Sequence, residues 1–178
     1  MEPSLVREKY NLLYLVGPSM GGIKTHIRSL VRGLDKEKFS IHVMGPPNLI
    51  RDLKGIEGVK CYEFNIGNMG KVPVLVSNIV RVFRFINNEN IEIAHFHGFK
   101  ASIIGCLACM ALKCKTRTIV TVHNFIDNKT AGIFNRLAYN IGIRIIIKNT
   151  DICITVSKAL ARTISSINKL TSGNKIHV

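Results

Sequence analysis

Apolar positions along this chain fall into two alternating kinds of segment. Short β-branched runs, apolar at nearly every position, occupy 11–17, 39–44, 59–64, 91–96, 117–122 and 150–156. Runs such as "RTIVTV" and "DICITV" predict strands covered on both faces, the condition of a parallel sheet. Between them, segments near 22–34, 72–88, 99–112, 131–148 and 157–167 carry apolar residues at helical spacing. Strand–helix alternation with right-handed crossovers predicts an α/β fold with a doubly wound, mainly parallel sheet. No repeat, low-complexity tract or linker divides the 178 residues, so one domain is expected. The last residues, "GNKIHV", read as the start of a further strand, and the chain is expected to be a fragment cut before a following domain.

The segment "GPSMGGIKTH" (17–26) follows the first apolar run and sets the candidate chemistry. A phosphate-binding P-loop needs Gly, four residues, Gly, and then Lys and Ser/Thr directly. Gly17 and Gly22 have that separation, but Ile23 intervenes before Lys24 and Thr25. One extra helical residue turns the lysine by about 100° away from the phosphates. The strand candidates run into His95, His123 or Ser157 rather than into the magnesium-holding Asp of such proteins. A dinucleotide fingerprint fails too, because the glycines are out of register and no acid ends the second strand. What remains is a glycine pair ahead of a helix, Gly21 and Gly22, whose amides approach a phosphate or sugar at the positive helix end. His26 then sits one turn into that helix.

Composition adds two constraints. Apolar residues make up 47% and charged residues 20%, as in a compact globular protein. "MEPSLVREKY" has no apolar core of a signal peptide, and "ASIIGCLACMALK" is too short to span a bilayer and reads as a buried helix. A cytoplasmic protein is expected. Five irregularly spaced cysteines make no disulfide framework; Cys106, Cys109 and Cys114 lack the companions of a metal site and read as buried thiols. The net charge is +14, and from Ile93 onward only Asp127 and Asp151 stand against twelve Lys and Arg. That excess favours an anionic partner: phosphate, acidic lipid or nucleic acid. Nucleic acid has charge alone in its support, with no RNA-binding signature, and is set aside.

Four segments in order carry a resemblance. "GGIKTHIRSLVRGL" resembles the GGxxxHxxxLxxxL signature of glycosyltransferase family four, and "IEIAHFHGFKASIIG", "TRTIVTVHNF" and "NTDICITVSKAL" resemble its HxHG, TxHN/D and D-x4-V-S elements. The resemblance runs from Asn11 to Val178 and implies the N-terminal, acceptor-side half of a GT-B enzyme, one of two Rossmann-like domains. Such enzymes move a sugar from a nucleotide-sugar donor with retention of configuration, generally without a metal; no Asp-x-Asp motif occurs here. The family's NG[VI]D segment and most of its donor pocket would lie beyond Val178, in an absent C-terminal domain, so this chain alone is expected to be inactive.

By that resemblance His123, after the strand "TIVTV", contacts the transferred sugar or orients the acceptor, with Asn124 bonding a hydroxyl; capping of the following loop is the alternative for His123. Gly21 and Gly22 offer amides near the interdomain cleft; packing of helix on strand is their alternative explanation. His95 and His97 alternate on one strand and share a face. His97 is the one expected to line the cleft with Lys100, while His95 packs beneath. His26 is open between a cleft contact and a structural hydrogen bond. Ser157 reads as a helix N-cap. Arg136 and Arg144, eight apart on one helix, are candidates for an acceptor phosphate or carboxylate, or else part of a solvated basic face. In "KVPVLVSNIVRVFRFINN", Lys71, Arg81 and Arg84 lie near phenylalanines expected at the surface, a pattern for docking on anionic lipid. The implied acceptor is a glycan, a glycolipid or another envelope component. The competing expectation is a non-catalytic module that binds an anionic glycan or lipid.

Overall fold

The computed structural model describes residues 9–18, 21–67, 69–112, 116–123, 132–167 and 175–178. Seven strands form one sheet: β1 (Tyr10–Val16), β2 (Phe39–Gly45), β3 (Val59–Glu63), β4 (Ile93–His97), β5 (Arg117–Val122), β6 (Ile152–Thr155) and β7 (Ile176–His177). Their order is β3-β2-β1-β4-β5-β6-β7, and every pairing is parallel. The doubly wound α/β sheet read from the sequence is therefore the observed fold, with Ile176–His177 forming β7.

Six helices connect the strands: α1 (Gly22–Gly33), α2 (Pro47–Leu53), α3 (Val72–Asn88), α4 (Phe99–Leu112), α5 (Ile133–Lys148) and α6 (Lys158–Ile167). Two buried clusters lie on opposite faces of the sheet. Leu12, Tyr14, Val16, Ile41 and Val43 pack with Ile27 and Val31 of α1 and with Leu49, Ile50 and Leu53 of α2. On the other face, Leu13, Leu15, Phe96 and Val120 meet Val82 and Ile86 of α3, Ile104 of α4, Ile143 and Ile146 of α5, and Leu160 of α6. The central α4 has the sheet below and α3 and α5 as neighbours, which explains why its sequence is apolar on nearly every side.

The winding reverses between β1 and β4. After β1 the chain crosses one face through α1, and after β4 it crosses the other through α4. A crevice opens at the carboxyl ends of two strands whose connections part in this way. Gly17 and Gly98 mark it: the Gly17 amide donates to the His97 carbonyl at 3.0 Å, and Gly98 takes φ +85, a conformation suited to glycine.

Candidate functional site

Three histidines from three different elements converge at this switch point. His26 comes from the second turn of α1, His97 from the last residue of β4, and His123 from the position after β5. Ring centroids are 5.7 Å apart for His26 and His97, 5.5 Å for His26 and His123, and 5.6 Å for His97 and His123. His97 Nδ1 and His123 Nε2 lie at hydrogen-bond distance, 3.3 Å. His95 and His97 do share a face, with rings 4.0 Å apart and both against Tyr14. His95 Nε2 is hydrogen-bonded to Thr121 Oγ1 at 2.8 Å.

Exposure ranks these side chains. His26 is exposed and His123 half-buried, while His97 has no accessible surface. The expectation that His97 lines the cleft directly is corrected in that respect: it lies among the rings of Tyr14, His95, His26 and His123 and reaches the edge only through its neighbours. Burial disfavours the charged form of His95, His97 and His123. It lowers His95 to about 3, reinforced by His26 and His123, and His123 to about 4, reinforced by His26. His97 is held well below the ordinary histidine value, first by burial and then by the other three rings. Burial likewise pushes the Tyr14 phenol up to about 12.

The glycine turn stands beside this cluster. Gly21 is the N-cap of α1 with φ +60 and ψ −119, a conformation that sterically requires glycine. A side chain at Gly22 would meet no atom within 4 Å, so close packing does not demand that glycine. Among the described residues no side chain caps α1, and its first turn holds no acid, so its positive end suits an anion. Lys24 points elsewhere, paired with Asp52 of α2 at 2.6 Å, in keeping with the exclusion of a P-loop.

The remaining candidates divide by position. Lys100, exposed, is the second residue of α4 and stands at the same sheet edge as the histidines. Arg136 lies in the first turn of α5 at that edge. Arg144 does not join them. It lies eleven residues beyond Ile133, roughly 16 Å along the axis at 1.5 Å per residue, and its Nε donates to the Ile167 carbonyl at the end of α6. Shared helix face did not mean shared sheet edge. Asn124 and Cys114 fall outside the described residues. Ser157 is an N-cap, its hydroxyl accepting from the Leu160 amide at 3.2 Å.

On α3 the exposed apolar residues are Val72, Val76 and Val80, whereas Phe83 and Phe85 are half-buried against the core. The surface phenylalanines expected there are therefore replaced by a valine stripe, because Phe85 turns onto Tyr62, with ring centroids 4.7 Å apart. Sequence reading missed Tyr14 and Thr121. Their parts follow from strand register, Tyr14 opposite His95 and Thr121 opposite His97, which no local motif encodes.

Among the described residues, no group of three or more His, Cys, Asp or Glu is placed to hold a metal ion. Cys106, Cys109 and Cys153 are buried, and burial pushes the Cys106 and Cys153 thiols up to about 12 and about 11.

Comparison with known proteins agrees with this fold. A glycosyltransferase from Rickettsia africae ESF-5 superposes with a TM-score of 0.72 at 18% identity, over 96% of this chain and 42% of that one. The lipopolysaccharide outer core galactosyltransferase WaaB gives 0.67 at 11%, over 94% and 44%. A UDP-N-acetylglucosamine 2-epimerase from Rickettsia bellii gives 0.64 at 15%, over 96% and 44%. This chain thus spans less than half the length of these structures, and at such identities the likeness establishes the fold alone. No curated protein matches the sequence significantly. The profile of Glycosyltransferase Family 4, however, matches residues 20–178, from the glycine turn to the last residue. The chain belongs to glycosyltransferase family 4 and has the fold of one half of a GT-B enzyme.

Proposed function

We propose that this chain is the acceptor-side half of a retaining glycosyltransferase that moves a sugar from a nucleotide-sugar donor to a glycan, glycolipid or other envelope acceptor. The observation that carries the reading is the meeting of His26, His97 and His123 beside the N-terminus of α1, at the switch point of a family 4 domain. Transfer of this kind needs the leaving phosphate's charge stabilised and two sugars held in line, which fixed donors and dipoles supply. In this reading His123 touches the reacting sugar, and the amides of Gly21 and Gly22 meet a phosphate or acceptor oxygen. His26, Lys100 and Asn124 complete the acceptor side, and a second domain brings most of the donor pocket. The chemistry requires no metal here, and the nucleotide sugar is a co-substrate.

The acceptor's setting is proposed from charge and exposure. The helices α3 to α6 carry eight Lys and Arg and no acid. Val72, Val76 and Val80 on α3 and Ile133, Leu137 and Ile141 on α5 form two exposed apolar stripes. Among the described residues no helix is long and apolar enough to cross a membrane. A surface both basic and apolar suits peripheral contact with an anionic membrane at its cytoplasmic face, where lipid-linked acceptors are reached.

The test is a transfer assay on a protein that joins this chain to the proposed second domain, screened against a panel of nucleotide sugars. Donor-dependent transfer is expected from it and not from the 178 residues alone. Binding of an anionic glycan or lipid with no turnover for any donor would replace the enzyme reading with that of a binding module.

A further inference from the structure

We infer that His97 is a positioning residue that fixes the tautomer of His123, so that His123 offers an Nδ1–H to its ligand; the inference rests on the reading of His123 as the ligand-contacting side chain. A neutral imidazole has one N–H and one bare nitrogen. Where two such rings meet nitrogen to nitrogen, one donates and the other accepts. His97 Nδ1 and His123 Nε2 meet in this way at 3.3 Å.

Only two arrangements exist. In the first, His97 Nδ1–H donates to His123 Nε2, and the His97 Nε2 is a bare lone pair. In the second, His123 Nε2–H donates to His97 Nδ1, and the single proton of His97 moves to Nε2. That nitrogen is buried and has no hydrogen-bond partner among the described residues. The second arrangement therefore strands a buried N–H, whereas the first strands only an acceptor, and orphaned buried donors are the rarer of the two. The first arrangement prevails. It leaves the proton of His123 on Nδ1, the ring nitrogen that His97 does not engage.

The surroundings keep both rings neutral, as the argument needs. Among the described residues, the groups facing His97 are Tyr14 from β1, His95 from its own strand, His26 from α1 and His123 after β5, with no carboxylate among them. An imidazolium would have no counter-charge there, and burial holds His97 well below its usual range. The pair thus differs from a carboxylate–histidine pair, whose orienting group stabilises a positive ring. The consequence is a defined role. Through Nδ1, His123 donates a hydrogen bond to an oxygen, a sugar hydroxyl or a phosphate, and does not act there as a base.

The test is the 15N spectrum of the histidine rings in the 178-residue chain near neutral pH, where protonated and bare ring nitrogens are widely separated. His123 should show a protonated Nδ1 and a bare Nε2, and His97 the same. His97→Asn keeps an amide donor near the Nδ1 position and should leave the His123 pattern in place. His97→Phe removes the donor and should move His123 toward the Nε2–H form that an unrestrained ring favours. A wild-type His123 protonated at Nε2, or a pattern unmoved by His97→Phe, would overturn the inference. If His97→Phe does not fold, the wild-type and His97→Asn spectra decide. No donor or acceptor enters the measurement, so its failure and the failure of the transfer assay are separate results.

Discussion

The buried imidazoles have a cost that acid should reveal. His42, His95 and His97 are all buried, and each is held below the ordinary histidine value, with burial the largest cause. An unfolded chain protonates them near pH 6.5 while the folded one does not, so below that pH the unfolded state binds more protons and stability falls. The loss should approach roughly 1.4 kcal/mol per pH unit for each imidazole still neutral in the fold. Between pH 7 and 5 ordinary carboxylates stay ionised, so urea unfolding over that window isolates the effect; a flat stability profile there would contradict the burial described. At this scale the sequence pointed to the histidines that the fold brings together, because His26, His95, His97 and His123 all stood in motifs, but it passed over His42. It did not show that His97 is covered, nor that Thr121 and Tyr14 hold the cluster, since both facts depend on register between strands distant in sequence.

Among the elements, two helical glycines separate propensity from packing. A methyl group on Gly142 of α5 would lie 2.5 Å from the Phe99 ring of α4, whereas one on Gly33, at the end of α1, would meet nothing within 4 Å. Alanine is favoured over glycine inside a helix by about 1 kcal/mol, but overpacking a core costs typically 1–3 kcal/mol. Gly33→Ala should therefore raise the unfolding free energy by up to about 1 kcal/mol, and Gly142→Ala should lower it. Denaturant titration of the two variants checks the pair of signs. Ser157→Ala should cost about 1 kcal/mol through the lost N-cap of α6, as in helices generally. Transfer per folded molecule should not change, and a specific loss of turnover would give Ser157 a role beyond capping. Hydrophobic periodicity fixed the main elements to within two residues at most ends. It passed over α2, whose seven residues after Pro46 are too few to show a period.

For the whole molecule, charge is distributed by face. Every described carboxylate lies outside α3 to α6, so that layer of helices is basic throughout and carries the two apolar stripes. Vesicles rich in acidic phospholipid should retain the protein at low salt, and release it at high salt or when the lipid is neutral. Val76→Asp together with Leu137→Asp should weaken retention without unfolding the chain, since both side chains are exposed. Equal retention by neutral vesicles would remove the electrostatic part of the account. The α/β architecture was legible from the alternation of runs and helical segments. The position of the site was legible only once strand order placed the switch between β1 and β4, because no sequence pattern states which strands are neighbours. The most direct test of the central claim is the transfer rate of His123→Ala against wild type, in a protein that joins this chain to the second domain proposed above. The account predicts a fall of about a hundredfold or more, the usual cost of removing a preorganised donor at the reacting centre, with unfolding unchanged. Transfer at the wild-type rate by a folded His123→Ala protein would contradict it.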